Sequence, residues 1–221
     1  MSTSRTAQLI VQSAYVSLGI IATLGSLGLY KASFDATFYT YFTNLSNYLC
    51  LIVMFVELVR TARSKSDGYV TFSPKFKFIC VVAILLTGLV YNFILAGAPD
   101  RDPMSNYEVT SILFHTVLPI LFTLDWLLFF RHGAVTWATP LISAVFPLAY
   151  VAFVFIRAAL FPSAQNLFPY FFLDPSQQGV NGILTWIGVL LVGFIVLGYV
   201  LMAIDHSIAK HAVKARVLAT Y

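Results

Sequence analysis

The 221-residue chain is 59% hydrophobic and 16% aromatic but only 10% charged, where a soluble domain carries about a quarter charged residues. Its mean hydropathy is +0.85, and surface-to-volume scaling leaves a soluble fold of this size too many wet positions to hide that much apolar surface, so lipid is its solvent. The net charge of +4, from 13 Lys+Arg against 9 Asp+Glu, is no nucleic-acid footprint, because the cations lie in short loops and tails.

A spanning helix needs about 20 mostly apolar residues. Six segments qualify: Ala7–Tyr30, Phe38–Val59, Phe76–Ala96, Val109–Phe130, Trp137–Leu160 and Gly182–Ile204. The first is expected to be retained rather than removed as a signal peptide, since its n-region holds only Arg5 and its apolar run exceeds a signal core. Between the spans, Arg60–Lys75, Gly97–Glu108 and Phe161–Asn181 are too short for a domain, and their Gly and Pro residues end helices. The expectation is an all-α polytopic bundle of six transmembrane helices, one integral membrane domain over residues 1–221.

Basic residues orient it. With the N-terminus inside, the inner segments hold Arg5, Arg60, Arg63, Lys65, Lys75, Lys77, Arg131, Lys210, Lys214 and Arg216, while the outer ones hold Lys31, Arg101 and Arg157. The positive-inside rule then puts both termini in the cytoplasm.

Polar groups at membrane depth are costly and mark function or interhelical bonding. Thr43 lies 17 positions from Arg60, His115 lies 16 from Arg131, and Asn92 lies 15 from Lys77. At about 1.5 Å per residue all three fall roughly 22–25 Å above the inner boundary. Arg157 and Asp174 stand slightly higher, and the inner half is expected to offer little to match them. Glu57 is expected to reach the inner headgroups. Asp125, ten positions below His115, is too far to orient it, and Asp174 or Glu108 is the better third group. His132, His206 and His211 are expected to be solvated, and Cys50 and Cys80 to be core thiols.

The second helix opens Tyr41-Phe42-Thr43-Asn44-Leu45-Ser46-Asn47-Tyr48, with Thr43 and Asn47 on one face. The fourth carries Leu113-Phe114-His115-Thr116-Val117-Leu118-Pro119. Pro119 has no N–H for the His115 carbonyl, which is left to accept another bond beside a kink. Either set of residues can serve as glue between helices. Together they allow more: a threonine hydroxyl becomes a nucleophile when a base takes its proton, and imidazole suits that task near neutral pH. Asn44 or Asn47 can donate to an oxyanion. Arg157 offers a fork for a lipid carboxylate or phosphate, or snorkels at a helix end.

Six helices, Phe-Thr followed by Asn at the start of the second, His-Thr with Leu-Pro in the fourth, and Phe168-Pro169-Tyr170-Phe171-Phe172-Leu173-Asp174 before the last resemble the androgen-induced protein family, which has bacterial relatives. The resemblance implies an intramembrane hydrolase of lipid acyl esters, such as fatty acid esters of hydroxy fatty acids, with the nucleophile on Thr43 and the base on His115. The compact His-Thr-Val-Leu-Pro and the Asn-rich run after Thr43 depart from the family pattern and leave the acyl ester unspecified.

The leading expectation is a threonine-dependent lipid esterase in a bacterial cell membrane, or an endomembrane if the host is eukaryotic. It needs no cofactor or metal and takes a membrane lipid or acyl ester as its partner, with no nucleic acid. Asn44, Asn47, Asn92, Arg157 and Asp174 are its expected oxyanion and substrate-binding residues. Two readings compete. One is a transporter or lipid-binding protein in which Thr43, Asn47, Asn92 and His115 line a polar cavity gated by Arg157. The other is an acyltransferase that shares the first chemical step.

Overall fold

Leu, Val, Ile and Phe runs bounded by Gly and Pro give six helices long and apolar enough to cross a membrane: α1 (Arg5–Ser26), α2 (Phe42–Arg63), α3 (Pro74–Leu95), α4 (Val109–Phe129), α5 (Thr139–Leu160) and α6 (Pro175–Ala212). The structure, a computed structural model, describes residues 5–64, 72–98 and 102–218, with residues 213–218 described through their backbone alone. Lys65 and Arg101 of the charge count lie outside the described residues, as do the side chains of Lys214 and Arg216. Among the described residues there is no strand.

Side-chain bonds fix the helices as antiparallel neighbours. Arg5 at the start of α1 donates to the Thr61 carbonyl near the end of α2 (3.0 Å), while Ser26 meets Tyr48 (2.7 Å) at the other end. Ser46 of α2 bonds Thr87 of α3 (2.9 Å), and Asn92 of α3 donates to the His115 carbonyl of α4 (3.1 Å). Helices α1–α4 form the core, and α6 lies against α3 and the first turns of α5. Beyond Ala144, where α5 breaks, the Val145–Leu160 part hardly touches α6. Pro147 removes the N–H that would bond the Ser143 carbonyl, which accounts for the break. The divergence leaves a slot between α5 and α6, lined by Leu148 and Val151 on one side and Ile187 and Leu191 on the other.

The half of the bundle at the Arg5 end of α1 differs from expectation. Glu57 does not reach the headgroups: it is fully buried and pairs with Lys77 (2.5 Å), which also bridges to fully buried Asp125. Lys77 is therefore a core residue of α3 rather than a loop cation. Counting from the loop misses it because Pro74 starts the helix only three positions earlier. His132 is not solvated either: Nδ1 meets Asp205 Oδ1 (2.9 Å) and Nε2 meets the Leu127 carbonyl (3.1 Å), tying the α4–α5 connection to α6. His206 and His211 are both exposed, as expected. Between this layer and the Thr43 layer lie Cys50, Cys80, Ile84, Leu118 and Phe122, all essentially inaccessible.

Candidate functional site

Thr43 stands in the first turn of α2, where backbone N–H groups have no carbonyl one turn earlier to bond. Tyr41 precedes the helix and supplies no side-chain cap. The phenol of Tyr170 takes that place: Thr43 N donates to its oxygen (3.3 Å), and Thr43 Oγ1 lies 3.4 Å from the same atom. Both residues are buried, at 7% and 8% exposure. Burial also pushes the Tyr170 phenol above its ordinary pKa, because a phenolate would be poorly solvated there.

Two π turns build the histidine side. In α4 the turn Leu113–Val117 closes with Leu118 N donating to Leu113 O, and α3 ends in a second such turn, Tyr91–Leu95. Pro119 leaves the His115 carbonyl without its helical donor, and Asn92 Nδ2 supplies one at 3.1 Å. Gly88 allows this approach, since a Cβ there would stand 3.0 Å from the same carbonyl oxygen. His115 Nδ1 lies 2.8 Å from the Ser111 carbonyl. A carbonyl only accepts, so Nδ1 carries the hydrogen and the basic lone pair of the neutral ring is on Nε2. Tyr91 stacks on the imidazole (3.4 Å between centroids, 9° between planes). Its hydroxyl bonds Ser111 Oγ (2.5 Å) and Asn106 Oδ1 (2.6 Å), so ring and tautomer are both fixed.

Thr43 and His115 line one open cleft of about 1360 Å³, together with Asn44, Tyr91, Ser111 and Tyr170. There is no hydrogen bond between the Thr43 hydroxyl and His115; the hydroxyl's neighbour is Tyr170. Thr43 and Tyr170 also form the wall of a second, narrow pocket of about 80 Å³ lined by Phe42, Leu86, Leu148, Ile187 and Leu191. That pocket is almost wholly apolar and lies by the slot between α5 and α6. Thr43 thus stands where an open, partly polar cleft meets an apolar pocket.

The remaining expected residues take other places. Asn44 faces the cleft and donates to the Phe38 carbonyl (2.8 Å). Asn47 spends its amide hydrogens on the carbonyls of Thr43 (2.9 Å) and Phe114 (3.3 Å), bonding α2 to α4. Arg157 neither snorkels nor offers its fork to a headgroup, because its guanidinium donates to the carbonyls of Gln165 (2.7 Å) and Asn166 (3.0 Å). It clamps the loop before α6, and Asn166 ties that loop to Thr40 Oγ1 (2.8 Å). Asp174 caps α6 through Ser176 N (2.9 Å) and Ser176 Oγ (2.7 Å). The Ser176 hydroxyl bond foremost holds its carboxyl below the usual range. Glu108 lines the cleft rim and pairs with exposed Lys31 (3.0 Å). Among the described residues, the group bonded to Nδ1 of the imidazole is the Ser111 carbonyl.

Sequence reasoning assigned no part to Tyr170, Tyr91 or Ser111. The spacing of Ser111 four residues before His115 was the one local signal available; the tyrosines come from distant segments. Among the described residues, no group of three or more His, Cys, Asp or Glu side chains is placed to hold a metal ion. Comparison with protein-family models, curated proteins and solved structures finds no match to this chain.

Proposed function

We propose that the chain is an intramembrane hydrolase of lipid acyl esters, with Thr43 as nucleophile and His115 as base, and with both termini in the cytoplasm. The supporting observation is that Thr43 shares an aqueous-sized cleft with a tautomerically fixed imidazole and simultaneously borders an apolar pocket. An ester requires both surroundings, since its carbonyl is polar and its chain is not. The resemblance to the androgen-induced family points the same way.

In this reading the acyl chain slides in between α5 and α6 and the ester carbonyl comes to rest at Thr43. His115 Nε2 accepts the Thr43 proton, directly or through one water, as Oγ1 bonds the carbonyl carbon. Asn44 is the cleft amide available to the resulting oxyanion. Collapse breaks the bond to the alcohol, which leaves with the proton from His115, and an acyl-threonine remains. Water in the cleft then gives a proton to His115 and attacks the acyl carbon, releasing the fatty acid and restoring Thr43. An alcohol acceptor in place of water would make the same site an acyltransferase.

A second reading, a transporter, draws support from the buried Lys77–Glu57–Asp125 group, which gives the inner half polar positions as well. The packed layer around Ile84 and Phe122 separates it from the cleft. Proteoliposomes carrying a fluorogenic long-chain acyl ester distinguish the two. Hydrolysis predicts fatty acid release that falls about 10²-fold or more in Thr43→Ala and His115→Gln. Transport predicts no release, and an ion flux lost on changing Lys77.

A further inference from the structure

Tyr170 is the side chain hydrogen-bonded to the hydroxyl of the proposed nucleophile, and its bond to the Thr43 backbone has a definite direction. A backbone N–H only donates, so the Thr43 amide makes the phenol oxygen an acceptor at 3.3 Å. The phenol has one hydrogen of its own to give. Thr43 Oγ1, at 3.4 Å, is the polar side-chain atom bonded to it. The phenol stays protonated because burial disfavours its anion.

The ring is held from several sides. Phe172 stacks on it (5.0 Å, 6°), and Tyr41 and Tyr150 meet it edge-on (5.9 and 6.2 Å). The loop that carries it is clamped by Arg157 and tied to Thr40 through Asn166. These contacts involve the ring and the backbone and leave the hydroxyl to the first turn of α2. A core tyrosine needing only its aromatic surface would gain nothing from that hydroxyl, whereas a buried hydroxyl without a partner would be destabilising.

Building on the hydrolase reading, we propose that Tyr170 is a catalytic residue: its phenol donates to Thr43 Oγ1, turns the threonine hydrogen toward the cleft that holds His115, and stabilises the negative charge that gathers on Oγ1 as that hydrogen leaves. The proton passes from Oγ1 to His115 Nε2, the new bond forms between Oγ1 and the acyl carbon, and Tyr170 keeps its own proton throughout. The helix N-terminus reinforces the effect, since its amide groups favour negative charge in the first turn of α2. The nucleophile is thereby activated from both sides, by an acceptor in the cleft and a donor on the apolar side.

The test is the rate at which a fluorophosphonate probe labels the purified full chain, with the adduct located by mass spectrometry. Tyr170→Phe keeps the stacked ring and is expected to slow labelling of Thr43 about 10- to 100-fold, with a thermal midpoint lowered by the loss of the acceptor for the Thr43 N–H. Replacing Tyr170 with 3,5-difluorotyrosine, whose phenol is more acidic than that of tyrosine even where burial raises both, is expected to add a descending alkaline limb to the rate profile, because a phenolate cannot donate. A merely structural tyrosine would give no such limb. Should Tyr170→Phe fail to fold, the difluorotyrosine profile decides. Labelling of Thr43 by Tyr170→Phe at the wild-type rate, or a difluorotyrosine profile that matches wild type, overturns the role of Tyr170 alone. Absence of a Thr43 adduct in the wild-type protein overturns the nucleophile itself, and the Tyr170 role with it.

Discussion

At the scale of single residues, Pro119 does more than bend a helix. By withholding an N–H it leaves the His115 carbonyl to Asn92, and the backbone around the imidazole settles into a π turn, a form concentrated at functional sites. An alanine at 119 would return the missing donor. The turn would relax toward the α form, rotating His115 by about 100° relative to the helix below it. Pro119→Ala is therefore expected to lower ester hydrolysis about 10- to 100-fold, as a small misplacement of a catalytic group does, while the thermal midpoint holds or rises. Unchanged turnover with a higher midpoint would show that the π turn has no part in the chemistry. Gly88 belongs to the same arrangement, because a Cβ there would stand 3.0 Å from that carbonyl and crowd the approach of α3.

Helices are the level at which the sequence was most legible. Hydrophobic length alone delimits the spans: the expected Phe38–Val59 and Val109–Phe130 correspond to Phe42–Arg63 and Val109–Phe129. Counting from basic ends groups Thr43 with His115, and both line one cleft. The rule that proline frees a carbonyl anticipates the bond from α3, though not that Asn92 makes it. Other features leave no trace in hydropathy. A π turn has the composition of the helix around it, and the slot between α5 and α6 arises from a break at Ala144 inside a continuous apolar run. Loop geometry is harder still. Arg157 looks like a lipid-facing cation until its three-carbonyl clamp is seen, and Tyr170 comes from 127 residues away to meet Thr43. Lys77 misleads for a different reason: a cation close to a helix start reads as a loop charge, yet its long stem carries it inward to two carboxylates.

The whole molecule is a bundle with two polar layers divided by a packed apolar one. The layer that holds Thr43 opens to a cleft, whereas the other is closed, with Lys77, Glu57 and Asp125 each no more than 1% exposed. Glu57 is further fixed by the Phe72 N–H (3.1 Å). Desolvating three charged groups is costly, and their mutual attraction offsets that only while the set is complete. Lys77→Met alone is expected to destabilise the bundle by about 3–5 kcal/mol, because it leaves two facing carboxylates without a cation. The triple variant Lys77→Met, Glu57→Gln, Asp125→Asn is expected to recover most of that loss. Thermal unfolding in detergent measures both, and a triple variant no more stable than the single one would show that the charges are needed for more than mutual neutralisation. In the hydrolase account the triple variant retains its esterase activity, since the packed layer separates the two sites.

The most direct measurement is peptide mapping of the full-length protein after reaction with a fluorophosphonate in detergent. The account predicts a single adduct on Thr43 Oγ1, absent from Thr43→Ala and slowed in His115→Gln. An adduct on any other side chain, or labelling of Thr43→Ala at the wild-type rate, would contradict it.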